Sequence, residues 1–189
     1  MNETNRGYTP PLSKRNQLIK LIQEKALSRG TFRLASGQTS DYYIDLSKIL
    51  LDSVGLSLVA SSIMEEVDAW KKVTAIGGPA YGAIPIVAGM LTMFAEHKWP
   101  MKGFFVRKET KDYGKKELLE GHLEQGDKVV LVEDVTTTGG SLLKAINEVQ
   151  KVATVIQVIS VVDRNQGACN LFKDKEIPFK SILNISQIL

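Results

Sequence analysis

Residues 129–141 read Val-Val-Leu-Val-Glu-Asp-Val-Thr-Thr-Thr-Gly-Gly-Ser, a run in which acids, hydroxyls and glycines are spaced for chemistry. Glu133 and Asp134 are adjacent carboxylates, suited to accept hydrogen bonds from vicinal sugar hydroxyls. After Val135, the hydroxyls of Thr136, Thr137 and Thr138 are donors, and Gly139 and Gly140 let backbone N–H groups approach an anion without a Cβ in the way. Ser141 opens an amphipathic helical pattern, so this cradle sits on a positive helix N-terminus. Loop and acids together suit a sugar phosphate. The competing reading is an ordinary strand-to-helix turn whose acids and threonines only cap the helix. No Lys follows the paired glycines, so the run is not a Walker A loop.

The elements that must position these residues follow from periodicity. The apolar, mostly β-branched residues 129–132 predict a strand buried on both faces, with the acids where it leaves the sheet, and residues 141–152 predict the helix after it. Upstream, Leu18, Ile19, Leu21, Ile22 and Ala26 recur at helical spacing from residue 13, with Gly30 as the stop. A short strand over 31–34, a Ser36-Gly37 turn and an extended segment over 41–45 complete a small N-terminal hood. A helix over 52–68, a strand over 73–76, a helix over 86–94 and strands over 103–106, 154–162 and 179–183 follow, with a short helix over 185–189. Alternating strands and helices predict an α/β fold with a mostly parallel sheet flanked by helices, and ligands beyond the carboxyl ends of its strands. The expected organisation is one domain over 1–189, with a hood from about 13–50 plus the C-terminal segment and a core from about 51–175.

Three further stretches would open at that same end. The small-residue loop over 77–85, with Tyr81 and Gly82, either makes a tight connection or presents backbone N–H groups to a pyrophosphate. Residues 107–117 carry five cations, Arg107, Lys108, Lys111, Lys115 and Lys116, and no apolar face. A solvated loop and a closing lid over a polyanion both have this composition. Arg164 follows the strand over 154–162, where a guanidinium is either a surface charge or a bidentate grip on a carboxylate. Tyr42 and Tyr43 are either hairpin core or a cover for a ligand.

Composition narrows the class. With 189 residues, 43% apolar and 24% charged, the chain fits one globular domain. A net charge of +3 does not argue for nucleic acid, and no apolar run is long enough to span a membrane. The single Cys169 cannot form an internal disulfide, and with no signal-peptide pattern a reducing cytoplasmic home is expected.

Residues 129–141 resemble the phosphoribosyl-pyrophosphate (PRPP) motif of type I phosphoribosyltransferases. Phe-x-Leu-x-Ser-Gly-x-x-Ser-x-Tyr-Tyr from Phe32 resembles the hood of orotate phosphoribosyltransferases, Arg-Lys-Glu-x-Lys-Asp-Tyr-Gly from Arg107 their catalytic loop, and Val-Val-Asp-Arg-x-x-Gly ending at Gly167 their orotate-holding segment. The four motifs stand in family order over roughly residues 32–167.

The resemblance implies transfer of phosphoribosyl from PRPP to orotate, giving orotidine 5′-monophosphate and pyrophosphate in pyrimidine (UMP) synthesis. It implies Lys111, Asp134 and Glu133 as catalytic residues. PRPP contacts would come from Arg107, Lys108, Lys111, Tyr113, Tyr81 and Gly82 and from the run Glu133, Asp134, Val135, Thr136, Thr137, Thr138, Gly139, Gly140 and Ser141. Orotate contacts would come from Thr137, Arg164, Tyr42 and Tyr43. It also implies Mg²⁺ carried mainly by PRPP without a dedicated protein ligand set, and a homodimer whose lid acts in trans. Ala35 and Gly82 depart from relatives that carry Lys there. Phosphoribosyltransferases for other bases and non-catalytic PRPP-sensing regulators are the alternatives. Lys111, with the lid motif and the hood, favours the orotate enzyme.

Overall fold

The structure, a computed structural model, describes residues 13–33, 39–67, 70–109 and 118–189. Ala35, Lys111, Tyr113 and the Ser36-Gly37 turn lie outside the described residues. The hood consists of α1 (Lys14–Lys25), β1 (Leu27–Arg33), β2 (Thr39–Ile44) and α2 (Ser47–Leu50). The core follows as α3 (Ser53–Glu66), β3 (Ala75–Pro79), α4 (Ala83–Glu96), β4 (Lys102–Val106), β5 (Leu119–Gly121), β6 (Lys128–Thr136), α5 (Gly140–Val149), β7 (Thr154–Asp163), α6 (Ala168–Asp174) and β8 (Phe179–Asn184). Short 3-10 turns stand at Trp70–Lys72 and Ile185–Gln187.

Six strands form one sheet in the order β5-β4-β3-β6-β7-β8, parallel except for β5, which runs antiparallel to β4. Its five parallel strands follow the doubly wound order 2-1-3-4-5, which reverses direction between β3 and β6. At that reversal the β3–β6 ladder stops at Gly77 and Leu131, whereas β6 continues against β7 as far as Thr136 and Asp163. A crevice opens where the pairing ends.

Alternation along β6 divides the core in two. Val130 and Val132 join α1, α3 and α4 on one face, while Val129 and Leu131 join α5 and α6 on the other. The hood has no core of its own, because Leu18, Ile22, Ile44 and Leu46 belong to the first of these clusters together with Ile182, Ile185 and Ile188. Gln23 Nε2 donates to the Ile188 carbonyl at 2.7 Å and Arg29 Nη2 to the Leu189 carbonyl at 2.9 Å, tying the chain end to α1 and β1.

Several boundaries differ from the expected ones. Helix α1 ends at Lys25, and Gly30 lies inside β1, at φ 148° where the register with β2 shifts between Arg29 and Phe32. Cross-strand pairing, not a helix stop, accounts for that glycine. Strand β6 runs on through the acid pair to Thr136, because β7 supplies ladder partners throughout. Strand β3 begins and ends later than residues 73–76, extending through Gly77 and Gly78. Those two glycines are packing residues. A Cβ on Gly77 would lie 2.5 Å from the Phe104 carbonyl oxygen, and one on Gly78 would lie 2.0 Å from that of Val132 and 2.6 Å from the Ala83 Cβ. Helix α5 stops at Val149, short of residue 152, and the four-residue α2, the three-residue β5 and the seven-residue α6 were not expected.

Gly78→Ala should therefore destabilise the fold by at least about 2 kcal/mol through overpacking against backbone that cannot move aside. Denaturant unfolding measures this. A midpoint equal to that of wild type would contradict the close packing of β3 on β6.

Candidate active site

The carboxyl ends of β3, β4 and β6 surround a cleft of about 850 Å³ at the switch point, a size suited to a small ligand. Tyr81 and Gly82 form one wall, Arg107, Lys108 and Glu109 another, and Glu133, Asp134 and Val135 the floor. On the α5 side the cleft adjoins a pocket of about 280 Å³ lined by residues 135–142, and the two share Glu133, Val135, Ser141 and Lys144. On the hood side it adjoins a pocket of about 350 Å³ that includes Tyr43, Tyr81, Gly82 and Asp134.

Strand alternation separates the two acids. Glu133 turns toward the α5 pocket and is only 8% exposed, whereas Asp134 turns toward Gly82 and the hood and is half-buried. Asp134 Oδ1 accepts from the Val135 N–H at 2.7 Å. Burial pushes the Glu133 carboxyl up to about 9, the negative charge of Asp134 adds to the shift, and the Lys108 charge opposes it. Glu133 therefore holds a proton at neutral pH and can donate a hydrogen bond. A Cβ on Gly82 would lie 2.4 Å from Asp134 Oδ1, so glycine at this position leaves the carboxylate its place.

The phosphate cradle is assembled by β6 and α5. Leu142, Ala145, Ile146 and Val149 bury one face of α5 and hold its N-terminus against the 280 Å³ pocket. Gly139 caps that helix at φ 85°, a conformation that favours glycine. Thr137, Thr138, Gly140 and Ser141 line the same pocket. Thr136 is 2% exposed, and its Oγ1 is the one buried side-chain polar atom without a hydrogen-bond partner among the described residues. An acceptor entering the pocket would satisfy it.

The second cluster joins the hood to the sheet. The Arg164 N–H donates to the Thr136 carbonyl at 2.9 Å, fixing the start of this side chain next to the cradle. Its Nε donates to Tyr42 Oη at 3.2 Å, Nη2 lies 3.4 Å from Ser40 Oγ, and the guanidinium carbon lies 4.7 Å from the centre of the Tyr42 ring. No carboxylate pairs with Arg164 among the described residues. Tyr43 does not join it. Alternation in β2 sends Tyr43 to the other wall, where it is 46% exposed beside Phe32, with ring centroids 5.7 Å apart.

Arg107 is held at the cleft edge by Glu120, with Nη1 3.0 Å from Oε1, and its N–H donates to the Leu118 carbonyl at 2.8 Å. The stem of the charged loop is thus the antiparallel β4–β5 pair. Tyr81 is 80% exposed at the mouth, following a cis Ala80–Tyr81 peptide. Lys144 and Glu120 were missed in the sequence. Lys144 was within reach of helical periodicity, standing three residues after Ser141 on α5, but Glu120 depends on a strand pairing across the loop that local pattern does not reveal.

A doubly wound sheet with an acid pair and a hydroxyl-rich anion cradle at its switch point defines a phosphoribosyltransferase, and residues 55–186 match the family model for the phosphoribosyl transferase domain. The orotate phosphoribosyltransferase of Methanosphaera stadtmanae is 41% identical over 175 residues, 92% of this chain and 95% of that protein. That of Methanothermobacter thermautotrophicus is 40% identical, over 91% and 92% of the two chains. Among solved structures, the Mycobacterium tuberculosis orotate phosphoribosyltransferase in complex with PRPP aligns at a TM-score of 0.76 with 29% identity, covering 93% of this chain and 99% of that one. The chain belongs to the orotate phosphoribosyltransferase family.

The raised Glu133 carboxyl makes a pH prediction whose sign is set by linkage. A group protonated more readily in the folded than in the unfolded chain lends stability that is fully present below the ordinary carboxylate value of 4.5 and is lost as pH rises toward about 9. Unfolding free energy of the wild type should fall between about pH 5 and about pH 9, and Glu133→Gln should flatten that fall. Parallel profiles for the two proteins would place the proton elsewhere.

Proposed function

We propose that this protein catalyses the reaction of its family, transferring the phosphoribosyl group of PRPP to orotate and releasing pyrophosphate. The observation that carries the choice of base is Arg164. A half-buried guanidinium without a carboxylate partner among the described residues, flanked by Tyr42 and carried by a residue whose backbone N–H bonds to the strand that holds the cradle, suits a planar base bearing a carboxylate. The relatives named above include a protein solved with PRPP, which supports PRPP as the donor.

In the reaction the C1′–oxygen bond to pyrophosphate breaks, its electron pair leaves with the pyrophosphate, and an orotate nitrogen bonds to C1′. Positive charge builds on the ribose and negative charge on the leaving group. Asp134 lies in the cleft to stabilise the first, and protonated Glu133 donates to a ribose hydroxyl on the other side of the strand. The cradle from Thr136 to Ser141 holds the 5′-phosphate and so fixes C1′ relative to the base at Arg164, with Thr137 between the two sites. Arg107, Lys108 and, from the lid, Lys111 and Tyr113 serve the pyrophosphate, with Tyr81 and Gly82 at its edge.

The described residues contain no group of three or more His, Cys, Asp or Glu placed to hold a metal ion. Mg²⁺ carried on PRPP oxygens would supply neutralising charge to the pyrophosphate, and Asp134 is the half-buried carboxylate of the cleft that could help hold it. Among the described residues no helix is long and apolar enough to cross a membrane. A cytoplasmic homodimer, with each lid completing the partner's site, belongs to the same proposal and draws its support from the single Cys169 and the density of lid charge.

Loss of orotate absorbance on mixing with PRPP and Mg²⁺ tests the proposal. Turnover of orotate, with adenine, hypoxanthine and uracil inert, is the expected result. Turnover of a purine base in place of orotate, or binding of PRPP with no turnover, would overturn it. Arg164→Ala should weaken orotate by about 1.5–3 kcal/mol and PRPP much less, as read from the two KM values. Equal losses would assign Arg164 to structure. Asp134→Asn should lower kcat strongly in a folded protein. Mixing it with Lys111→Ala chains should restore activity by forming one intact site per mixed dimer. Persistent inactivity, with subunit exchange shown by a label, would place the lid in its own site.

A further inference from the structure

We propose that Lys144 binds the 5′-phosphate of PRPP and of the nucleotide product, as the side-chain cation of the phosphate cradle. The inference rests on the assignment of the 129–141 run to PRPP. Among the described residues lining the 280 Å³ pocket, Glu133 and Lys144 are the only ionisable ones. Glu133 is buried and its carboxyl is pushed up to about 9, so it carries no positive charge to a phosphate dianion and repels it less than an ordinary carboxylate would. Without Lys144 the dianion would meet only dipoles: the α5 N-terminus, the threonine hydroxyls and the orphaned Thr136 Oγ1.

Three features place Lys144 for this work. It follows Ser141 by three residues, one helical turn along the same face of α5, and it lines both the cradle and the main cleft. It is exposed and has no ion pair among the described residues, whereas Lys151, just past the end of α5, is paired with Glu148. The buried residues Leu142, Ala145, Ile146 and Val149 prevent α5 from rotating to carry Lys144 away. A cation this close to a helix N-terminus opposes the helix dipole in the free protein. A bound dianion reverses the sign of that interaction.

Calorimetric titration of wild type, Lys144→Gln, Lys144→Arg and Lys151→Gln with orotidine 5′-monophosphate, orotidine and inorganic pyrophosphate tests the proposal. Lys144→Gln should bind the monophosphate about tenfold more weakly, a loss sized for a partly solvated charge contact. Orotidine and pyrophosphate should bind Lys144→Gln within about twofold of wild type, Lys144→Arg should retain most of the affinity, and Lys151→Gln should match wild type. Unchanged monophosphate binding by Lys144→Gln overturns the proposal. So does an equal loss for pyrophosphate, which would put the charge over the leaving group. Wild type that binds neither nucleotide nor pyrophosphate would overturn the PRPP reading itself, along with this one.

Discussion

The site depends on where β3 and β6 stop pairing. Their ladder ends at Gly77 and Leu131, while β6 keeps β7 as a partner for five more residues and β3 keeps β4 up to Pro79 and Val106. The sheet therefore stays intact on either side of a local opening, and the carboxyl end of β6 is rigid where it borders that opening. Rigidity is what allows two acids to be held as neighbours. In a flexible loop they would move apart and ionise together, but on a strand Glu133 is forced inward and Asp134 toward the hood. Burial and the neighbouring Asp134 then set Glu133 apart, raising its carboxyl to about 9.

Small residues make the same region possible. Gly77 admits Phe104, Gly78 admits the Val132 carbonyl and Gly82 admits the Asp134 carboxylate, so β3 and the start of α4 lie against β4 and β6 at distances that no side chain allows. The glycines bring the Tyr81–Gly82 wall within reach of the acids on the floor. At the other side Arg164 leaves β7 beside Thr136 and meets Tyr42 from the hood, so the guanidinium, the acid pair and the hydroxyl-rich cradle are fixed to two adjacent strand ends. Electrostatic stabilisation of a cationic sugar needs this kind of preorganisation, because groups already in place do not have to reorganise as charge develops.

Much of this was legible in the sequence. The continuous apolar run of β6, the helical run of α5 and the alternation of strands with helices predicted the sheet and the end at which its loops gather. What local pattern did not carry was long-range pairing. Strand β5 has three residues and exists because it pairs with β4 across the charged loop, which is also why Glu120 and its hold on Arg107 were invisible. Gly30 resembled a helix stop because the register shift with β2 that it serves arises only in the paired hairpin. The different fates of Tyr42 and Tyr43 follow from strand alternation, yet choosing the inward one required knowing which face the hood turns to Arg164. The proton on Glu133 is a consequence of burial, which adjacent letters in a sequence do not express.

Carbon-13 NMR of protein labelled at the glutamate side-chain carboxyl carbon, with Glu133→Gln to assign the resonance, measures that proton directly. The burial of Glu133 at the end of β6 predicts that its signal keeps the protonated shift through neutral pH and titrates near 9 in the free protein. A Glu133 midpoint near the ordinary carboxylate value of 4.5 would show it ionised at neutral pH and contradict its role as a proton-bearing donor.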